Sequence, residues 1–198
     1  MNTIYIPFGN DCVVAYQLEK LNKRNISLPF DWIKCDLKGI IKCIQDDFSN
    51  FLDESNFTMK NTTNTFKIIQ DNYSDGKLTN SIRMLNNVYG FHHLHDFKLN
   101  ISLGITENLS NGFKFFKEKY TRRIERFRDI MLDNSIKKII VHIGPDNDYK
   151  LLEELNSLLD SKSYVNYEII FIKYSEFEKL NTTSWKREEF NWSDVFIY

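Results

Sequence analysis

The amino-acid sequence predicts an α/β fold, a three-layer domain in which helices flank a mainly parallel central sheet. Two observations lead to this class. Apolar, β-prone segments near both ends of the chain are each followed by a segment of helical periodicity, an alternation typical of parallel strands joined by helices. The chain has 198 residues, 42% of them hydrophobic, which is enough for one sizeable core. Since no internal repeat or interdomain linker is visible, we expect a single domain over residues 1–198.

The first fifty residues predict a strand, a helix, a loop and a second helix. The strand is the apolar run Thr3–Phe8, and a helix begins directly after it at Cys12, with an apolar stripe formed by Val14, Leu18 and Leu21. The proline in Leu28–Trp32 disfavours the helical conformation for the residue before it, so this stretch is a loop. Asp36 is a suitable N-cap for the second helix, whose apolar face comprises Ile40, Ile41, Ile44, Phe48 and Phe51.

The remaining elements continue the alternation of strands and helices. In chain order we predict a short strand at Thr65–Gln70, a long helix at Glu107–Asn134, a buried strand at Lys137–Ile143, a helix at Tyr149–Leu159 and a strand at Tyr167–Tyr174. The stretch Val88–Phe97 is too irregular for either assignment. It carries three of the four histidines, which makes it a candidate for a functional site.

Composition excludes several classes of function. The 26 basic and 27 acidic residues leave a net charge of -1, so nothing draws the chain to nucleic acid or to an anionic membrane. We see no signal peptide and no membrane span, and expect a cytoplasmic protein. The three cysteines, Cys12, Cys35 and Cys43, show no CxxC spacing, so we expect reduced thiols, no bound metal and no cofactor. The abundance of Asn, Ile and Lys is typical of an AT-rich genome.

The turn Gly9-Asn10-Asp11-Cys12 places a cysteine where a strand passes into a helix. The positive end of the helix dipole favours the thiolate over the thiol at such a position. The backbone amides of the first helical turn, together with the side-chain amide of Asn10, could hold an oxyanion. The alternative is a structural cysteine packed behind the first strand, since free cysteine is among the most buried residue types.

The cluster His92-His93-Leu94-His95-Asp96 has three interpretations. His95 can be a general base for Cys12, oriented by Asp96 or by another carboxylate, with His93 as the second choice. Alternatively, His93, His95 and Asp96 can ligate a metal, because alternate residues of a strand face the same side. In the third interpretation the histidines are exposed in a loop or bound to the backbone.

The loop Pro29-Phe30-Asp31-Trp32 holds a second carboxylate that could orient the base. Adjacent residues of a regular strand point to opposite faces, which makes Asp96 badly placed to orient His95 and makes Asp31 the substitute. A buried Asp31 between two aromatic side chains must be hydrogen-bonded. The alternative is a structural loop anchored by Asp31, with Trp32 in the core. Trp32 and His93 are also candidates for contact with a substrate.

Two arginines on the predicted long helix, Arg122 and Arg126, are spaced i, i+4 and therefore share a face. Guanidinium groups in this arrangement could bind a phosphate or carboxylate of a substrate. The alternative is a solvated helix face on which Glu118 and Glu125 neutralise the arginines.

The acidic loop at the end of Val141–Asp148 directly follows a predicted strand. Ligands of open α/β sheets bind beyond the carboxyl ends of the strands, so this loop could contact a ligand. In the alternative interpretation the loop is a turn in which Asp146 or Asp148 caps the next helix.

Four motifs, in this order, resemble one known family: Gly9-x-x-Cys12 at the start of a helix, Pro29-Phe30-Asp31-Trp32, His95-Asp96-Phe97 and Arg122-Arg123-x-x-Arg126-Phe127. From about residue 8 to 174 the chain is similar to a family of unknown function described as putative papain-like cysteine peptidases. The resemblance implies Cys12 as nucleophile and His95 as base, with Asp31 or Asp96 as the orienting carboxylate. The two extra histidines before His95 depart from the pattern and leave the choice of base open.

Two functions of different classes follow. In the first, the protein is a hydrolase or acyltransferase whose Cys12 thiolate attacks an amide, ester or thioester carbonyl. Its partner is then an acyl-containing substrate such as a peptide, a protein or a glycoconjugate. In the alternative, the protein is a non-catalytic module that binds a glycan, a phosphate or a protein, and Cys12 is structural.

Overall fold

The computed structural model describes residues 2–9, 12–60, 69–71, 79–100, 102–180 and 185–197. Its strands are β1 (Asn2–Gly9), β2 (Ile33–Lys34), β3 (Phe57–Met59), β4 (Ile69–Asp71), β5 (Thr79–Asn86), β6 (Phe91–Lys98), β7 (Ile136–Gly144) and β8 (Tyr167–Lys173). Its α-helices are α1 (Val13–Lys20), α2 (Leu37–Gln45), α3 (Ile105–Leu132), α4 (Tyr149–Ser161), α5 (Tyr174–Glu178) and α6 (Trp192–Val195). Single turns of 3₁₀ helix lie at Glu54–Asn56 and Asp146–Asp148.

A three-stranded parallel sheet, in the order β1-β7-β8, contains the first strand of the chain. The pairing of β1 with β7 runs from Asn2 opposite Ile136 to Gly9 opposite Ile143. One face of the sheet packs against α1, α5 and α6, and the other packs against α2, α3 and α4. Strands covered on both faces are apolar along most of their length, which is why their sequences show no regular alternation. The predicted α/β class, with a parallel sheet between layers of helices, is confirmed.

A second sheet is antiparallel, in the order β2-β6-β5-β3, with β4 paired to β5. Sequence patterns do not predict it, because its buried positions include polar side chains: Ser81, Asn86 and His93. Alternation of apolar and polar residues, the usual sign of a half-buried strand, is therefore missing. The strand predicted at Thr65–Gln70 lies outside the described residues except at its end, where Ile69 and Gln70 belong to β4.

The second helix ends earlier than the sequence predicts. Its last residue is Gln45, and the chain then leaves the helical conformation because Asp47 and Phe48 have φ angles of 53° and 62°. The Phe48 amide donates back to the carbonyl of Cys43 at 2.8 Å, a hydrogen bond typical of helix ends. Phe48 and Phe51 therefore follow the helix, and both remain in the core with 4% and 0% exposure.

The longest helix, α3, is confirmed with bounds that differ by two residues at each end from the prediction. It packs on β6 through a buried face that includes Phe113, Phe116, Tyr120, Ile124, Phe127 and Met131. The predicted β7, α4 and β8 are also confirmed within two residues. Across the described part of the chain, every helix is too short or too polar to cross a membrane.

The start of α2 gives a first testable prediction. Asp36 caps the helix by accepting from the Gly39 amide at 2.7 Å, and a methyl group on Gly39 would lie 2.1 Å from the Tyr89 carbonyl oxygen. Alanine favours helices over glycine by about 1 kcal/mol. The collision with backbone outweighs that gain, so Gly39→Ala should lower the free energy of unfolding by about 2 kcal/mol.

Urea denaturation measures this change, and Lys38→Ala on the exposed side of the same turn is the matched control. The control should leave stability almost unchanged. A Gly39→Ala variant as stable as the wild type would contradict the close approach of α2 to the turn between β5 and β6.

Candidate active site

Cys12 is the residue at which the chain enters α1. It is the N-cap of the helix, and its carbonyl accepts from the Tyr16 amide at 2.9 Å. The residue is 3% exposed. Because the first amides of a helix have no acceptor within the helix, backbone donors point into the space beside Cys12. Asn10, the predicted second oxyanion donor, lies outside the described residues.

An irregularity in β6 brings His95 to this point. The paired residues on either side of it are Ile82 with Phe97 and Met84 with His93. Strand β6 therefore uses three residues, Leu94–Asp96, where β5 uses one. Such a bulge bends the strand and redirects its side chains. Within it, His95 Nε2 lies 3.7 Å from Cys12 Sγ.

The Asp96 carboxylate is held by three other side chains. Its Oδ2 accepts from His93 Nδ1 at 2.7 Å and from the Tyr120 hydroxyl at 2.9 Å, while Oδ1 accepts from Lys119 Nζ. Burial acts to raise the pKa of Asp96, but the hydrogen bond from His93 and the charge of Lys119 outweigh it and hold the pKa far below its usual range. Asp96 thus stays ionised and ties the bulge that carries His95 to α3.

His93 is enclosed in the core. It is 0% exposed, and four aromatic rings lie 5.0–5.8 Å from its ring centre: Phe51, Phe57, Phe116 and Tyr120. A ring without exposed surface cannot contact a substrate. The expectation that His93 contacts a substrate, or replaces His95 as base, is therefore wrong.

His92 precedes His93 in β6 and so points to the opposite face of the sheet from that residue. Its Nδ1 lies 3.3 Å from an Arg83 guanidinium nitrogen. Burial, with the charges of Arg83, Lys34 and Lys60 nearby, lowers the pKa of His92 to about 4. Of the three clustered histidines, His95 is the one whose ring faces the cysteine.

The metal interpretation required His93, His95 and Asp96 to converge on one point. The bulge instead turns His95 toward Cys12 while the other two residues bind each other. In the described ranges, no three His, Cys, Asp or Glu side chains are grouped in a way that could hold a metal ion.

Asp31 is 1% exposed and hydrogen-bonded, as the sequence predicts for a carboxylate between aromatic side chains. Its Oδ2 accepts from Arg24 Nε at 3.1 Å, from Arg24 Nη2 at 2.7 Å and from the Leu28 amide at 3.1 Å. Burial raises the pKa of Asp31, and the Arg24 charge acts against that rise. The Arg24 guanidinium also lies 5.5 Å above the ring of Trp32, whose φ angle of 63° is rare for a bulky residue. These contacts hold the loop in one conformation.

The two arginines of the predicted pair on α3 lie in different surroundings. Arg122 is exposed, whereas Arg126 is half-buried and donates to the Ser27 carbonyl at 2.8 Å. Arg126 and Arg24 line an open depression of about 410 Å³ beside the Asp31 loop. Arg126 therefore shares this depression with Arg24, and not with Arg122 as the sequence predicts.

Sequence reasoning missed Arg24, Lys119 and Tyr120. Each donates a hydrogen bond to a carboxylate, that of Asp31 or of Asp96, in the folded protein. The sequence contained one usable signal, because two buried carboxylates require cationic or hydrogen-bonding partners. It did not indicate which of the 26 basic residues would supply them.

Comparison with known proteins identifies the family of the chain. The model of the family described as "Putative papain-like cysteine peptidase (DUF1796)" matches residues 3–176, a span that contains Cys12, Asp31 and His95. The chain belongs to this family. It is also 25% identical over 227 residues to the uncharacterized protein R408 of Acanthamoeba polyphaga mimivirus, with 99% of this chain and 98% of that protein covered. No solved structure matches the chain.

The Asp96 network gives a second testable prediction. Asp96→Asn removes a buried charge that His93 and Lys119 surround, so the free energy of unfolding at neutral pH should fall by about 2–4 kcal/mol. Since the pKa of Asp96 is lowered by folding, its stabilisation is complete above about pH 4, the usual value for aspartate, and is lost as the pH falls below it. Wild-type stability should therefore decline more steeply than that of the variant below about pH 4.

Urea denaturation at a series of pH values measures both effects. Asp129→Asn, which removes an exposed carboxylate from α3, is the control and should change little. Equal stability of Asp96→Asn and wild type at neutral pH would contradict the role given to this carboxylate.

Proposed function

We propose that the protein is a papain-like cysteine hydrolase or acyltransferase in which Cys12 is the nucleophile and His95 the general base. The observation that carries the proposal is the 3.7 Å separation of Cys12 Sγ from His95 Nε2 at the start of α1. A nucleophile and its base must come within hydrogen-bond reach, and the distance is commonly longer when no substrate is bound. Membership of the family described as papain-like peptidases supports the same chemistry.

The reaction follows from these positions. His95 Nε2 takes the Cys12 proton, and the thiolate attacks the carbonyl carbon of the substrate. The amides at the start of α1 stabilise the oxyanion. The imidazolium then gives its proton to the leaving group, and a thioester to Cys12 remains. Water or another acceptor, deprotonated by His95, then attacks this thioester. The acyl product leaves, and Cys12 regains its proton from His95.

We assign the orientation of His95 to Asp31. Asp31 lies two residues before Ile33, and Ile33 pairs with His93, which lies two residues before His95. Asp31 Oδ1 is buried and has no hydrogen-bond partner among the described residues, while Oδ2 is fully used by Arg24 and the Leu28 amide. A carboxylate with one oxygen fixed can hold an imidazolium with the other.

The substrate in this proposal is acyl-containing: a peptide, a protein or a glycoconjugate. Trp32 is half-buried next to Asp31, and its ring offers an apolar surface for a substrate to pack on. Arg126, in the depression beside the same loop, could pair with an anionic group of the substrate. The exposed Arg122 is a further candidate for such a contact.

The first test measures the reactivity of Cys12. At about pH 6 an ordinary thiol is almost entirely protonated, so a Cys12 paired with His95 should react with iodoacetamide much faster than a free thiol does. His95→Ala should slow the reaction about 10- to 100-fold, and Cys12→Ala should abolish it. Because all three cysteines are buried, mass spectrometry is used to distinguish a modified Cys12 from a modified Cys35 or Cys43.

His92→Ala is the matched control, because it removes a clustered histidine whose ring lies against Arg83. It should leave the rate close to that of the wild type. If Cys12 reacts like a free thiol, or if His95→Ala does not slow it, Cys12 is structural and the binding-module interpretation replaces the proposal.

A separate prediction concerns Asp31. Asp31→Asn keeps the shape of the side chain and removes its charge, so the Cys12 reaction should slow about 10- to 100-fold through a misplaced His95. Asp46→Asn is a suitable control, since Asp46 hydrogen-bonds the Tyr89 hydroxyl outside the site. An unchanged rate in a folded Asp31→Asn protein would assign Asp31 to anchoring the loop alone.

A further inference from the structure

A second buried histidine lies at the carboxyl end of the parallel sheet, outside the groups used in the proposed reaction. His142 is in β7, the central strand, and pairs with Phe8 of β1 on one side and Phe171 of β8 on the other. It is 1% exposed, and its ring stacks on Phe171 with centres 5.4 Å apart. Because β1 leads directly to Cys12, His142 lies against the strand that carries the nucleophile.

Both ring nitrogens of His142 face oxygen atoms. Nδ1 lies 2.6 Å from the Phe8 carbonyl oxygen, and Nε2 lies 2.9 Å from Asp148 Oδ2. A carbonyl oxygen only accepts hydrogen bonds, so Nδ1 must donate to it. The Asp148 carboxyl group holds the ring at its other nitrogen. Asp148 is the N-cap residue of α4, one of the two that the sequence offers for this position, but its side chain makes no capping hydrogen bond.

The turn after β7 is built to allow this pair. A methyl group on Gly144 would lie 2.3 Å from Asp148 Oδ2 and 2.5 Å from His142 Nε2. Only glycine therefore leaves the carboxylate room to reach the ring. A side chain buried to this degree and bound at both nitrogens has no part in contact with a substrate, so its effect must come through the Phe8 carbonyl.

The next carbonyl of β1 is held in the same way. The Gly9 oxygen accepts from Cys35 Sγ at 3.3 Å. Two side chains from separate elements thus fix the last two carbonyls of β1, four and three residues before Cys12. Backbone pairing with β7 adds to this, since it continues as far as Gly9 opposite Ile143.

We propose that His142, held by Asp148, is a positioning residue that fixes the end of β1 and so keeps Cys12 Sγ opposite His95. This inference rests on the proposed function. Sideways movement of the strand end by about 1 Å would be enough to lower the rate of a reaction at Cys12 about 100-fold.

The test is a double-mutant cycle with His95, read out as the rate of Cys12 alkylation by iodoacetamide in the full chain. His142→Leu should slow the reaction about tenfold or more in the wild-type background. It should have no further effect in the His95→Ala background, because the geometry that it disturbs no longer matters there. His142→Asn, whose amide nitrogen can replace Nδ1 as donor to the Phe8 carbonyl, should recover most of the rate.

Lys138→Met is the matched control. Lys138 is 0% exposed at the opposite end of β7 and donates to the Val165 carbonyl at 2.8 Å, so its loss also removes a buried hydrogen-bonding side chain from this strand. The control should lower the melting temperature without slowing the reaction of Cys12. Should His142→Leu fail to fold, Gly144→Ala displaces the same pair without removing either member and should slow the reaction in the same way.

The outcomes separate the two proposals. A fast, His95-dependent wild type with an equally fast His142→Leu variant would overturn the positioning role alone. Equal slowing by His142→Leu in both backgrounds would also overturn it, since the effect would then be independent of the Cys12–His95 geometry. A wild-type Cys12 that reacts like a free thiol would overturn the proposed function, and the positioning role with it.

Discussion

The approach of His95 to Cys12 depends on one buried carboxylate. In a regular strand His93, His95 and Phe97 would all face the core, because alternate residues share a face. The bulge at Leu94–Asp96 breaks this alternation, and Asp96 holds the bulge against α3 through Tyr120 and Lys119. Taking a charge out of water is costly unless partners surround it, so three of them are needed here. The local irregularity of β6 is thus stabilised by contacts outside the pair of residues that it brings together.

A cluster of phenylalanines explains how four short motifs, spread over most of the chain, form one site. Phe30 of the Asp31 loop lies 5.1 Å from Phe8, which precedes the Cys12 turn, and 6.0 Å from Phe91 at the start of β6. It also lies 6.0 Å from Phe127, which follows Arg126 on α3. Each motif, or a residue close to it in the chain, therefore contributes an aromatic ring to a common packing centre. Such rings bury large areas in edge-to-face contacts, and their packing fixes the positions of the polar residues beside them.

The parts of the fold that follow apolar periodicity could be predicted from the sequence, and the parts that depend on polar tertiary contacts could not. β7 and α3 have strong apolar patterns, and Asp36 has a local capping interaction, so their places follow from a few neighbouring residues. β6 buries a histidine and bulges, which hides its pattern. Cys12 and His95 could be selected by residue type and motif order. The partners of Asp96 could not, because the hydrogen bond from His93 exists only once the bulge has formed.

The four histidines also differ in how well they suit the role of a general base. Two of them, His93 and His142, are bound to aspartates and are almost completely buried. A base in this kind of reaction must exchange protons with a substrate and its leaving group, and a fully enclosed ring cannot do so. His95 is half-buried and faces the thiol, which suits that task. The two enclosed pairs instead bind within β6 and against β1, the strands that carry His95 and lead to Cys12, so they stiffen the surroundings of the proposed base and nucleophile.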